Sequence, residues 1–339
     1  MEIRKKQYRR RKKGARAMSM GMRRKAPVGV AQGYGRQKSL GRRIVENRWN
    51  YAFISFGIIF ILTFCYAPMY GLTLAFKDFK INAGILGSPW SKPLLKNFML
   101  IQHDRAFWSA FFNTFRMGFM YVLTSFPAPI LLAILLNELR GARYKKVLQT
   151  IYTFPNFLSW VLVSGIFVNL LAAEGFINNI VKLMGGQVSD YLSNQQLIRP
   201  LLYGTAIWKG AGWSSILYLA AIAGISQELY EAAEVDGANR FQRVLHITWP
   251  GIKPTAVILL ILAMGGIMNN GFDQILNMTN AVVKSEAEVM DTYIYRMTFQ
   301  STPNYGFSTA MGLGKSVINF VFLLSANKIA KLLGEGGIM

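Results

Sequence analysis

Six stretches of this chain, at about 51–75, 114–136, 148–171, 197–225, 255–276 and 309–332, are apolar for long enough to cross a bilayer. A span takes roughly 20 mostly apolar residues. Backbone amides cannot stay unpaired in lipid, so such segments fold as helices. Six of them argue against the core helices of a water-soluble protein. The expected fold is an all-α membrane protein with six transmembrane helices. The composition agrees: 52% of the 339 residues are apolar and 16% are charged, against about 25% charged in soluble domains. The one cysteine, Cys65, lies inside the first stretch, which excludes a disulfide framework and a multi-cysteine metal site. Two histidines, His103 and His246, leave little scope for histidine chemistry. No Gly-rich loop ending in Gly-Lys-Ser/Thr occurs, so the chain does not bind ATP by that route.

The first 50 residues hold 17 Lys and Arg against Glu2 and Glu46, and supply +15 of the net charge of +22. Glycine is frequent there and no helical apolar stripe is visible. Residues 1–48 therefore read as a disordered basic tail ahead of a six-span domain at 49–339. A signal peptide fits poorly, because no small-residue cleavage site follows the first apolar stretch. Basic runs neutralise nucleic-acid phosphates, but directly before a span the better reading is a cytoplasmic tail held by anionic lipid. No nucleic-acid partner is expected. The Lys and Arg counts place both termini in the cytoplasm, with 26 on the inner side and nine on the outer. Without the tail the sides tie at nine each, so the tail sets the orientation. Arg116, Lys209 and Lys315 fall within or at the edge of spans.

Between the fourth and fifth stretches, at about 226–252, runs Glu231-Ala232-Ala233-Glu234-Val235-Asp236-Gly237-Ala238-Asn239-Arg240, then Phe241 to Pro250. Glu228 to Val235 predicts a short helix with acids in its first turns. Gly237 permits a tight turn. Phe241, Val244, Leu245 and Ile247 repeat at near-helical spacing and predict a second, amphipathic helix, which Pro250 would end. The result is a rigid helix–turn–helix bracket suited to a groove on another protein.

This stretch resembles the cytoplasmic signature loop of binding-protein-dependent ABC importer permeases. That loop begins Glu-Ala-Ala, carries Gly a few residues on, and ends in Ile-x-x-Pro. Glu231, Ala232, Ala233, Asp236, Gly237, Ala238, Ile247 and Pro250 match it, while Trp249 stands where Leu is commoner. Other segments resemble the branch that imports complex or oligomeric sugars. They are Ala75-Phe76-Lys77-Asp78-Phe79, Phe107-Trp108 with Asn113-Thr114, Phe157-Leu158-Ser159-Trp160, Gly271-Phe272-Asp273-Gln274-Ile275 and Asp291-Thr292-Tyr293. The similarity runs from about residue 45 to the end.

The resemblance implies a type I ABC importer permease fold in the cell membrane, without catalytic residues, metal or cofactor in this chain. It implies a second homologous permease chain lining the same path, and two ATPase subunits that bind ATP and Mg. It also implies an extracytoplasmic sugar-binding protein or lipoprotein that delivers cargo. Glu231, Ala232, Ala233, Asp236, Gly237, Ala238 and Arg240 would couple the chain to the ATPase, with Gly237 setting the angle of the lever.

Polar residues inside spans are costly and face a pore or a partner. Trp208, Lys209, Asn269, Asn270, Asp273, Gln274 and Lys315 are therefore candidates for the substrate path. Sugars need amides, carboxylates and an aromatic platform, and these residues supply them. The competing reading is structural pairing between helices, such as Asp273 with Lys209 or Lys315. A lysine in the path would suit an acidic sugar. His246 reads as packing. Gly265-Gly266, Gly312 and Gly314 read as points of close helix approach, and Pro127, Pro129 and Pro155 as kinks. The alternatives are a polytopic membrane transferase, which lacks the clustered acids or histidines it would need, and a nucleic-acid-tethered membrane protein resting on the tail alone.

Overall fold

A computed structural model of the chain describes residues 45–139, 141–269 and 271–334. Most of the expected disordered tail lies outside these residues. The chain divides into two compact units, one ending at Ala67 and one beginning at Pro68. The described part of the first unit is helix α1 (Arg48–Ile61) and a wider turn at Leu62–Tyr66. No residue of either is buried.

The second unit is helical, with no strand among the described residues. After α2 (Lys96–His103), Asp104 caps α3 (Arg105–Ser125) by accepting from the amides of Ala106 and Phe107 at 2.9 and 3.1 Å. Pro127 sits in the first turn of α4 (Pro127–Glu138), where its missing N–H costs nothing, so α3 and α4 are separate helices with Phe126 between them.

The third expected span is not one helix. The amphipathic α5 (Ala142–Thr153) gives way at Phe154–Phe157 to a tight turn around Pro155, and α6 (Trp160–Leu171) restarts under Ser159, whose hydroxyl accepts from the Leu162 amide. The apolar run here is Trp160–Leu183, which includes α7 (Phe176–Leu183), so the crossing lies further along the chain than 148–171.

Among the described residues, five helical runs are long and apolar enough to cross a membrane: Arg48–Phe76, Arg105–Glu138, Trp160–Leu183, Arg240–Gly265 and Tyr305–Leu332. The fourth expected span, α8 (Ile198–Ala223), is not among them, although its 26 residues reach about 39 Å at 1.5 Å per residue. Its hydropathy is diluted by glycines, serines and Lys209 because it packs against protein, touching α3, α4 and α5. At Gly212 the contact is backbone to backbone: a Cβ there would sit 2.0 Å from the carbonyl oxygen of Tyr152 in α5.

The short α9 (Gln227–Val235) follows, and then α10 (Arg240–Gly265). Pro250 does not end the second bracket helix as its sequence suggests. A wide turn at Val244–Thr248 precedes it and the helix continues to Gly265, because a proline in the first turn of a new helical segment lacks only an amide that would have no partner there. That helix ends at Gly265, turns follow over residues 266–268, and the expected fifth span at 255–276 is interrupted. It resumes as α11 (Phe272–Met278), α12 (Lys284–Ala287) and α13 (Met290–Tyr295), and closes with α14 (Tyr305–Leu332).

Three buried clusters tie these helices together. Met117, Ile198, Leu202, Ile275 and Met278 join α3, α8 and α11. Phe107, Met290, Tyr293 and Met311 join α3, α13 and α14. Ile130, Tyr218, Ile222 and Ile252 join α4, α8 and α10. Gly265 does mark a close approach, since a Cβ would lie 2.8 Å from Leu323 of α14. Gly312 and Gly314 do not, because each faces open space.

Candidate functional site

At one end of the bundle, α9 and the start of α10 form the bracket. Ser226 caps α9 through the Glu228 amide at 3.3 Å. The helix ends in a turn at Gly237, where φ is +79°. There the Gly237 amide donates to the Glu234 carbonyl at 3.1 Å and the Ala238 amide to the Ala233 carbonyl at 2.9 Å, the paired bonds of a left-handed glycine C-cap. Asn239 and Gln242 cap the start of α10 reciprocally at 2.9 and 2.8 Å. Arg243 pairs with Glu234 at 3.1 Å, and the hydroxyls of Tyr230 and Thr248 meet at 2.9 Å. The bracket is therefore braced by a capping box and two side-chain bridges.

Its outer surface is uncovered. No residue of α9 is buried, and Glu231, Ala232, Asp236 and Arg240 are exposed. So are Leu229, Val235 (88%), Phe241 and Leu245, an unusual apolar content for a solvent-facing element. Ala233, Gly237, Ala238 and His246 line a hollow of about 340 Å³ between the two helices. His246 is exposed rather than packed, with Nδ1 3.0 Å from the Gln242 carbonyl.

Inside the bundle is a cavity of about 460 Å³. Its walls include Tyr121, Ser125 and Phe126 from the α3–α4 corner, Trp160 of α6, Ser214 and Tyr218 of α8, Asn269 after α10, and Gln274 of α11. Ser125 Oγ is buried without a hydrogen-bond partner among the described residues. Towards the α8 end opposite the bracket lies a second cavity of about 560 Å³, lined by Arg116 and Met120 of α3, by Gln196, Arg199 and Tyr203, and by Glu286. Tyr121 of the first cavity and Tyr203 of the second meet edge to face, with centroids 5.0 Å apart.

The expected path residues divide. Gln274 and Asn269 line the inner cavity. Gln274 is also a joint: buried, it donates to the Leu202 carbonyl and Thr205 hydroxyl, each at 2.7 Å, and accepts from Tyr121 at 2.8 Å. Asn269 accepts from Asn319 at 3.3 Å. Lys209 donates to the carbonyls of Pro155 and Asn156 at 3.3 and 2.9 Å, filling the break between α5 and α6, and stands over Trp160. Lys315 pairs with Asp291. Asp273 is exposed, so neither pairing considered for it forms. Trp208 is half exposed and meets Phe167 edge to face. Asn270 lies outside the described residues.

Several motif residues are polar joints. Asn113 donates to the carbonyls of Ser285 and Glu288 and accepts from Arg199. Thr114 accepts from the Met290 amide at 2.7 Å. Arg296 grips Glu288 through two bonds at 2.9 and 3.2 Å, which holds its guanidinium above the usual range. Burial, then the bond it donates to Asp104, pushes the Tyr293 phenol well up. Sequence reasoning missed Tyr121, Ser125, Tyr203, Ser214 and Tyr218, because aromatic and hydroxyl side chains in apolar runs read as packing, while Trp160 stood in one of the sugar-branch segments without a role. Arg116 did carry a signal, as a charge inside a span.

The family described as binding-protein-dependent transport system inner membrane component matches residues 106–334. The polygalacturonan/rhamnogalacturonan transport system permease protein YteP of Bacillus subtilis (strain 168) is 39% identical over 89% of this chain and 94% of its own. Protein LplB of the same organism is 39% identical over 93% and 98%. A chain from the crystal structure of a bacterial ABC transporter importing the acidic polysaccharide alginate superposes with a TM-score of 0.80 at 36% identity, covering 87% of this chain and 99% of that one. In a second crystal structure the alginate transporter is in complex with a periplasmic protein that holds an alginate pentasaccharide. Its matching chain has a TM-score of 0.79, 35% identity, and coverage of 88% and 99%. These likenesses remove the transferase alternative: the relatives are transport subunits. The chain belongs to the binding-protein-dependent transport system inner membrane components, as the permease subunit of a sugar ABC importer.

Proposed function

We propose that this subunit translocates acidic oligosaccharides handed over by an extracytoplasmic binding protein, beside a second permease chain, and that two ATPase subunits drive it through the bracket. The observation that carries the coupling is the combination of rigidity and exposure. A braced helical hairpin that keeps Leu229, Val235 and Phe241 exposed has the make-up of a docking surface. On ATP binding, with Mg, the ATPases would shift α9, and the glycine turn at Gly237 would pass that motion to α10. Glu231 would make the polar contact on the partner. The bracket then faces the cytoplasm, and the end of α8 at Ile198 faces outward.

The inner cavity has the make-up of a sugar site. Tyr121, Trp160 and Tyr218 offer aromatic faces, and Ser125 an unmatched hydroxyl. Sites of this kind are mostly apolar, with few convergent polar groups. The acidic cargo is supported by two relatives named for the transport of polygalacturonan and rhamnogalacturonan or of alginate. Uptake of labelled oligogalacturonates, against carboxyl-reduced oligomers of the same length, tests this in cells carrying the complete importer. Preferential import of the acidic series is expected. Import of the neutral series alone would overturn the acidic reading.

A further inference from the structure

We propose that Arg116 reads the carboxylate of the incoming sugar. This rests on the acidic-cargo reading above. Arg116 lies on α3, inside the apolar run Arg105–Glu138. It is exposed to the cavity of about 560 Å³ at the end of the bundle opposite the bracket. Among the described residues its guanidinium has no ion-pair or hydrogen-bond partner. The cations around it are already matched. Arg199, across the same cavity, is clamped by Glu286 at 2.8 Å and by Asn113 at 2.9 Å. Arg296 is held by Glu288 and Lys315 by Asp291. Of the two arginines lining this cavity, Arg116 is therefore, among the described residues, the one whose charge is unmatched.

A guanidinium in a span is expensive and is retained where it faces water, a pore or a partner charge. Its fork of donors fits a carboxylate in two parallel bonds, which an ammonium cannot reproduce. Gln196 and the Tyr203 hydroxyl line the same cavity and supply donors for the neighbouring sugar hydroxyls. The position is also on the route. Arg116 and Tyr203 line the outer cavity, Tyr121 lines the inner one, and the Tyr121–Tyr203 contact stands between them. A carboxylate held at Arg116 lies one aromatic pair away from the inner cavity. Lys209 and Lys315, the lysines inside spans, are occupied by backbone carbonyls and by Asp291 and are not the carboxylate site.

The test is uptake by the complete importer carrying Arg116→Gln or Arg116→Lys, with membrane levels of the chain measured alongside. Labelled oligogalacturonates and their carboxyl-reduced counterparts are the probes. The Gln variant should lose about tenfold or more in acidic uptake below saturation, and keep neutral uptake within about twofold. The Lys variant should raise KM for the acidic series while keeping its preference over the neutral one. Acidic uptake unchanged in the Gln variant would overturn the proposal. Equal loss of both series would also overturn it, since that is the behaviour of a structural residue or one paired with an acid of the second permease chain. A wild-type importer that took up only the neutral series would remove the acidic reading and this proposal with it. One that took up neither would remove the proposed function as well.

Discussion

Gly237→Ala isolates the bracket from the rest of the protein. The residue sits at φ +79°, and a Cβ there would meet nothing within 4 Å. The substitution is therefore sterically free towards neighbours and strained only in its own backbone. Holding an L side chain in the left-handed region costs about 1–2 kcal/mol, or roughly a 5- to 30-fold shift against the formed turn. Two hydrogen bonds close that turn, Gly237 to Glu234 and Ala238 to Ala233, and both loosen when it opens. The three buried clusters of the bundle lie elsewhere, so membrane levels should match the wild type. ATPase stimulation in the reconstituted complex should fall several-fold. Gly237→Asn should recover most of it, because asparagine tolerates the left-handed region. Gly312→Ala, at an open helical position, should be neutral. Wild-type coupling in Gly237→Ala, or equal damage from Ala and Asn, would refute the argument from backbone strain.

Three further substitutions probe the bundle. Gln274→Leu keeps the volume but strands Tyr121 Oη, while the Leu202 carbonyl keeps its bond from Thr205, and should cost about 1–3 kcal/mol, read as a lower melting temperature in detergent. Gly212→Ala forces α5 and α8 apart at the Tyr152 carbonyl; about 1–3 kcal/mol of overpacking should appear as a lower yield of monodisperse protein. Lys209→Met frees the carbonyls of Pro155 and Asn156; it should lower thermal stability and leave the preference between acidic and neutral cargo unchanged, as uptake competition would show.

What could be read from the sequence was local. The bracket was legible because its signals are adjacent: acids in the first turns, glycine at the left-handed position and an apolar repeat from Phe241 to Ile247. Most of the spans were legible from the apolar runs, yet α8 falls short of their hydropathy because a helix packed against α3, α4 and α5 can trade Leu for Gly and Ser. The Pro155 break was flagged only as a kink. What satisfies the carbonyls freed at the break is Lys209, 54 residues away, and no local pattern announces a lysine that serves backbone carbonyls. The pairing of Lys315 with Asp291 was hidden for the same reason. Arg116 was visible as a charge in a span, but its importance emerges only once Arg199 and Lys315 are seen to have partners.

The claim that the bracket engages the ATPase is tested most directly by proximity. With Cys65 replaced by Ser, a cysteine at position 235, where Val235 is 88% exposed, is the chain's only thiol. In membranes containing the complete importer, a short thiol-to-amine crosslinker should join it to the ATPase subunit, identified by mass spectrometry, with a yield that changes on adding ATP. Finding no ATPase peptide at that position, while a control cysteine at position 229 also finds none, would contradict the account.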